Sequence, residues 1–162
     1  MENTIRPTLA SLIQSMPDII GIDHIYITVS DMQCSEEFYD RAMKVLGFRK
    51  NTFAIGGDPH AQYFNRQFGL VIRPARSGNP HDAYSPGLHH LCLRVESPED
   101  VRTAARELRA AGIDASEAAP YPEYAPDYWA TFFRDPDGIR LEITNYRQER
   151  RERHDHWDRL QS

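Results

Sequence analysis

Apolar and polar residues alternate between positions 22 and 29. Ile25, Ile27 and Val29 fall on one face of an extended chain, and His24, Tyr26 and Thr28 on the other. That period of two predicts a strand with one side against a core. The period then lengthens: Phe38, Tyr39, Ala42, Met43 and Leu46 recur at helical spacing, Asp31 stands where a cap is needed, and Gly47 where a helix stops. Short strand-like runs follow at 52–55, 62–65 and 70–73, punctuated by Gly56-Gly57-Asp58-Pro59. Residues 74–87 read as a linker by composition.

The pattern then starts again. His24 falls on His90, Ile25 on Leu91, Ile27 on Leu93 and Val29 on Val95. A helix is predicted after Ser97-Pro98-Glu99-Asp100, a good start with a cap, a proline and early carboxylates. Val101, Ala104, Ala105, Leu108 and Ala111 form its apolar stripe, and Gly112-Ile113 answers Gly47-Phe48. Strands are expected at 113–116, 128–134 and 139–145, the last two joined by the turn Asp135-Pro136-Asp137-Gly138. Residues 117–127 form a Pro/Tyr-rich loop. Recurrence of strand, helix, glycine and strand in one order indicates a duplicated module.

Each module is βαβββ, with one helix to cover one sheet face. The expected fold is α+β: two tandem modules whose mixed sheets curve around a metal-binding cavity. The domain is expected over 21–146, with module one at 21–73, the linker at 74–87 and module two at 88–146. Leu9, Leu12, Ile13 and Met16 predict a short helix in an N-terminal extension, 1–20. The tail, 147–162, is charged and reads as a solvated or frayed helix.

Composition narrows the function. At 162 residues the chain is long enough for a real core, and its net charge of −5 argues against a nucleic-acid partner. No apolar run approaches the ~20 residues of a membrane helix, and no basic stretch followed by an apolar core marks a signal peptide. Cys34 and Cys92 are too few and too far apart for a disulfide framework. A reducing cytoplasm fits best.

His24, His90 and Glu142 each sit on the polar face of a strand whose other face is apolar. Two imidazoles and a carboxylate form a ligand set for a divalent first-row ion. A lone strand histidine is usually structural, but two at equivalent positions of a repeat need a common reason. Alternation assigns His90 as the ligand and leaves His89 as a structural residue at the strand edge. Arg94 and Arg140 flank the ligands and suit either an anionic substrate or structural ion pairs. Tyr26 and Thr28 face the cavity. Tyr121, Tyr124 and Tyr128 lie in or beside the Pro/Tyr-rich loop. Cys92, on the ligand face, reads as a small apolar residue. His154 and His156 read as part of a solvated tail.

These pieces together resemble the vicinal oxygen chelate superfamily, which includes glyoxalase I, extradiol dioxygenases and the fosfomycin- and bleomycin-resistance proteins. The matching residues are Gly21-Ile22-Asp23-His24-Ile25, Phe38-Tyr39 with Leu46-Gly47-Phe48, Gly87-Leu88-His89-His90-Leu91, and Asp135-Pro136-Asp137-Gly138 with Leu141-Glu142-Ile143. The resemblance implies metal ligands on the first strand of each module and the last strand of the second, hence His24, His90 and Glu142. It also implies an active-site rim near Tyr121, Tyr124 and Tyr128. Tyr128 and Arg140 are the candidate catalytic side chains. Glyoxalase I has a fourth ligand, a glutamate near the end of the first module. Alignment of the modules sets Ile72 opposite Glu142, with no carboxylate between Asp58 and Asp82.

The resemblance therefore implies a metal-dependent enzyme. A divalent ion, Fe(II), Mn(II), Ni(II) or Zn(II), would chelate neighbouring oxygens of a small-molecule substrate, with dioxygenase-type or glyoxalase-type lyase or isomerase chemistry equally open. The alternative is a bleomycin-resistance-like protein that sequesters a ligand without catalysis. A homodimer is expected; the resemblance implies modules paired within a chain or swapped between chains, so that His24 would share an ion with His90 and Glu142 of the same subunit or of its partner.

Overall fold

The computed structural model describes residues 19–159. The predicted N-terminal helix lies outside them. Within them the chain runs β1 (His24–Val29), α1 (Met32–Val45), β2 (Arg49–Ile55), β3 (Asp58–Phe64), β4 (Gly69–Pro74), then β5 (His90–Val95), α2 (Pro98–Ala110), β6 (Ala119–Pro120), β7 (Trp129–Arg134) and β8 (Arg140–Asn145). A surface helix α3 (Gln148–Asp155) and a 3-10 turn at Trp157–Arg159 follow. The strands form two sheets, in the orders β1-β4-β3-β2 and β5-β8-β7-β6. In each, the first strand pairs parallel with the fourth and the other pairings are antiparallel. The fold is the expected α+β arrangement of two modules.

Local chemistry explains the elements. Asp31 caps α1 by accepting from Cys34 N at 2.9 Å. The helix ends with Gly47 at φ 79°, where Phe48 N donates to Met43 O at 2.9 Å. Gly112, at φ 76°, ends α2 in the same way, with Ile113 N on Leu108 O at 3.0 Å. This is the left-handed helix stop that a side chain would strain. Ser97 and Asp100 close a reciprocal capping box at the start of α2.

Three strand expectations need correction. β2 and β3 are longer than predicted because they form one hairpin about Gly56 and Gly57, both with positive φ. Residues 113–116 form no strand. The fourth strand of that sheet is the two-residue β6, and prolines at 120, 122 and 126, which lack an N–H, keep its ladder short.

α1 packs against β2 and β4, α2 against β5, β7 and β8, and the two helices touch. One core joins the modules, with Tyr39, Met43, Ile72, Leu108, Leu141 and Ile143 among its members. Polar ties cross the same seam. Tyr39 donates its hydroxyl to Asp135 at 2.9 Å, and Ser30 N donates to Asp137 at 3.0 Å. The Asp-Pro-Asp-Gly turn of module two is thus a joint between the modules. The helices face inward, so the polar faces of both sheets turn away from the shared core. β1 and β5 are edge strands of their sheets.

Candidate functional site

The polar face of the second sheet carries the densest chemistry. Strand register pairs Cys92 with Glu142 and His90 with Arg140. Glu142 is 3% exposed. Tyr128, just before β7, donates its hydroxyl to Glu142 Oε1 at 2.6 Å. The other oxygen, Oε2, faces His90 Nε2 at 3.5 Å. That gap is too long for a good hydrogen bond. It suits two donors of one ion: bonds of about 2.0–2.1 Å in a tetrahedral arrangement set neighbouring donors about 3.3 Å apart. His90 and Glu142 therefore fit a divalent ion as two of its ligands.

The third predicted ligand is elsewhere. His24 lies on β1 in the other sheet, with its Nδ1 2.7 Å from Asp23 Oδ2. Among the described residues, no three His, Cys, Asp or Glu side chains form a metal-sized group. One chain brings His90 and Glu142 together and leaves His24 apart.

The position equivalent to Glu142 in module one is Val71, not Ile72. Val71 pairs with Tyr26 as Glu142 pairs with Cys92. The correction is one residue of register, which moves the position from the core face to the polar face. No carboxylate stands there in either alignment. Gly69 occupies the place of Arg140. A side chain there would meet Gln62 Nε2 at 3.1 Å and His24 Cβ at 3.6 Å. A groove of about 420 Å³ runs between Asp23, Asn51, Gln62, Phe68 and Gly69 beside this histidine.

Arginines and aromatics ring the His90–Glu142 pair. Arg140 lies over the Phe132 ring at 4.2 Å and Arg94 over Tyr146 at 4.1 Å. Neither pairs with a carboxylate among the described residues. Tyr124 stacks on Tyr121 at 5.7 Å, Tyr121 meets Phe132 edge-on at 5.3 Å, and Tyr124 meets Tyr128 at 5.4 Å. The tail also takes part. Arg147 lies over Tyr128 at 4.8 Å, and Arg151 covers Tyr146 at 4.3 Å while pairing with Glu96 at 2.6 Å. His154 and His156 are exposed on the tail.

The electrostatics keep protons in place. Burial pushes the Tyr128 phenol well above its ordinary value, and the hydrogen bond to Glu142 adds to this. Tyr128 is thus held as a donor to Glu142. Burial, then the charge of Glu142, pushes the Cys92 thiol up to about 12. The thiol stays protonated, on a residue that is exposed at the polar face.

One residue was missed. His60 is 2% exposed on β3, stacked on Phe53 at 5.0 Å and edge-on to Tyr26 at 5.9 Å. Its Nδ1 meets Asp58 O at 2.9 Å, while its Nε2 has no hydrogen-bond partner among the described residues. Alternation with Gln62 could have placed it on the polar face, but Gly56-Gly57-Asp58-Pro59 masked the start of the strand.

Comparison with known proteins agrees with this fold. A family model described as the Glyoxalase/Bleomycin resistance protein/Dioxygenase superfamily matches residues 21–143. The virulence protein STM3117 of Salmonella typhimurium (strain LT2) is 31% identical over 77% of this chain and 83% of its own length. YqjT of Bacillus subtilis (strain 168) is 29% identical over 74% of this chain and 94% of its own. The crystal structure of a glyoxylase/bleomycin resistance protein/dioxygenase domain from Frankia sp. EAN1pec superposes with a TM-score of 0.65. It is 26% identical and covers 80% of this chain and all of that one.

Proposed function

Because the chain belongs to the glyoxalase/bleomycin resistance protein/dioxygenase superfamily, we propose that it is a metal-dependent enzyme acting on a small molecule with two neighbouring oxygens. The observation that carries this is the His90–Glu142 pair. Its donors stand 3.5 Å apart, and the second carboxylate oxygen is fixed by Tyr128. A buried carboxylate so held, aimed at an imidazole nitrogen beyond hydrogen-bonding range, is arranged for a shared cation.

The third ligand is His24 from a second copy of the chain. Two facts support this. His24 stands on an edge strand whose polar face is turned away from the shared core, and β5, which bears His90, is also an edge strand. An edge strand offers a free ladder for pairing, and a two-fold dimer would use both edges in both sites. The Val71 side chain where a fourth carboxylate would stand supports a three-donor site with open positions.

A divalent ion bound there, Fe(II), Mn(II), Ni(II) or Zn(II), supplies Lewis-acid stabilisation of charge on substrate oxygens. The chain's own residues do the rest. Tyr128 keeps Glu142 oriented. Arg140, beside His90 in register and free of a carboxylate among the described residues, faces the substrate and takes up its negative charge. The protonated Cys92 thiol lines the floor without reacting. Phe132, Tyr121 and Tyr124 form an aromatic wall on which a substrate can stack. The two free cysteines, Cys34 and Cys92, support a reducing, cytoplasmic setting.

The aromatic wall also favours a second reading, a protein that sequesters an aromatic ligand. Metal analysis separates the two. Protein purified without chelators is expected to carry about one ion per chain, and His90→Ala and Glu142→Gln to lose it. Parent protein without stoichiometric metal, but with a tight aromatic complex, would establish the sequestration reading instead.

A further inference from the structure

The residue before each histidine ligand makes the same contact in both modules. Asp23 Oδ2 lies 2.7 Å from His24 Nδ1, and His89 Nδ1 lies 2.7 Å from His90 Nδ1. The two positions are equivalent in the duplication, each one residue outside its strand. Neighbours within a strand point to opposite faces, and alternation accordingly separated His89 from His90. Just before the first ladder position the pleat does not yet apply, so both side chains turn back onto the ring that follows.

We infer that Asp23 and His89 are positioning residues of the metal site, each holding Nδ1 of its ligand so that Nε2 is presented to the ion. The inference rests on the metal reading above. A carboxylate only accepts, so the proton between Asp23 and His24 belongs to Nδ1. In the neutral ring this leaves the lone pair on Nε2, the nitrogen that would take the ion. The His89–His90 contact holds one proton between two nitrogens. An ion at His90 Nε2 requires that proton on His90 Nδ1, which makes His89 Nδ1 the acceptor and puts the His89 proton on Nε2. Tyr84 meets the His89 ring edge-on at 5.4 Å. A metal-bound imidazole usually donates its other N–H to such a group, which sets the ring and raises its basicity. The two ligands differ in kind: the negative Asp23 strengthens His24 more than the imidazole His89 strengthens His90.

The test titrates Co(II) into metal-stripped full-length protein and follows the visible bands. The variants are Asp23→Ala, Asp23→Asn, His89→Ala and His89→Gln, each checked for parental circular dichroism and oligomeric state. The alanine variants are expected to lose about 10- to 100-fold in affinity, Asp23→Ala the more, with recovery in Asn and Gln, which keep an acceptor oxygen. Imidazole nitrogen spectra of metal-free protein are expected to show His24 protonated at Nδ1, and a shift toward the other tautomer in Asp23→Ala. Alanine variants that bind Co(II) within about twofold of the parent, or an unchanged His24 tautomer, overturn this inference alone. A parent that takes up no Co(II) overturns the metal reading and this inference together.

Discussion

Tyr128 and Glu142 sit on adjoining segments of the second sheet, and the phenol donates to the carboxylate at 2.6 Å. Burial alone would penalise this carboxylate, so the donor matters for fold and site together. Tyr128→Phe keeps the ring beneath Arg147 and removes only the hydroxyl. Loss of a hydrogen bond to a buried charged group costs about 1–3 kcal/mol. Urea unfolding is expected to show a loss in that range, together with weaker metal uptake, since Oε1 is no longer fixed. Unchanged metal affinity in a destabilised Tyr128→Phe would confine the hydroxyl to a structural role.

His24 and His90 lie on different sheets, so the proposed site needs two chains. A mixing experiment tests this directly. His24→Ala and His90→Ala are each expected to bind no metal. Unfolded together at equal amounts and refolded, they should form mixed dimers in which one of two sites is intact. Random pairing then recovers about a quarter of the parental sites. No recovery from a mixture that does form mixed dimers would show that the ligands are not shared between chains.

The polar faces that carry the candidate ligands were legible because alternation is local. Ile27 and Val29 are buried while His24 and Tyr26 are exposed, as the sequence pattern predicts. Register was not legible. Ile72 and Val71 differ by one position, and only the parallel pairing of β4 with β1, a contact between distant segments, decides which side chain faces His24. The same limit hid Asp135. It read as part of a turn, yet its carboxylate accepts from Tyr39 across the module seam. Nothing along the chain says whether the modules meet through helices or through polar sheet faces. That choice separates His24 from His90, and tertiary packing makes it.

Asp135 gives the fold a pH dependence. Its carboxyl is raised above the ordinary 3.8, chiefly by burial, with the hydrogen bond from Tyr39 opposing the shift. A carboxyl raised on folding binds its proton more tightly in the folded state. Its stabilising contribution is complete below pH 3.8 and is lost as pH rises through the folded value. Asp135→Asn cannot titrate and still offers an oxygen to Ile139 N, which Asp135 Oδ1 meets at 2.8 Å. The stability of this variant relative to the parent is expected to increase as pH rises from 4 and then level off. Urea midpoints measured across pH 4–7 check this. A difference that shrinks over that range would mean that the native carboxyl is lowered instead.

Val71 offers a gain-of-ligand test. It is 2% exposed and occupies in module one the place that Glu142 holds in module two. Glu142 is held there by Tyr128. The corresponding residue in module one is Asp58, itself a carboxylate, already bound by Arg73 and Arg76. Val71→Glu would therefore bury a carboxyl without the phenolic donor that serves Glu142. Metal-free protein is expected to lose about 1–3 kcal/mol. Near His24 the new carboxylate adds a donor to the proposed three-ligand site, so an ion that binds the folded state should restore part of the loss by mass action. The measurement is the thermal midpoint of parent and variant with and without Zn(II). The variant should start lower and gain more on addition of the ion. A variant that starts lower and gains no more than the parent would place position 71 outside the ion's reach.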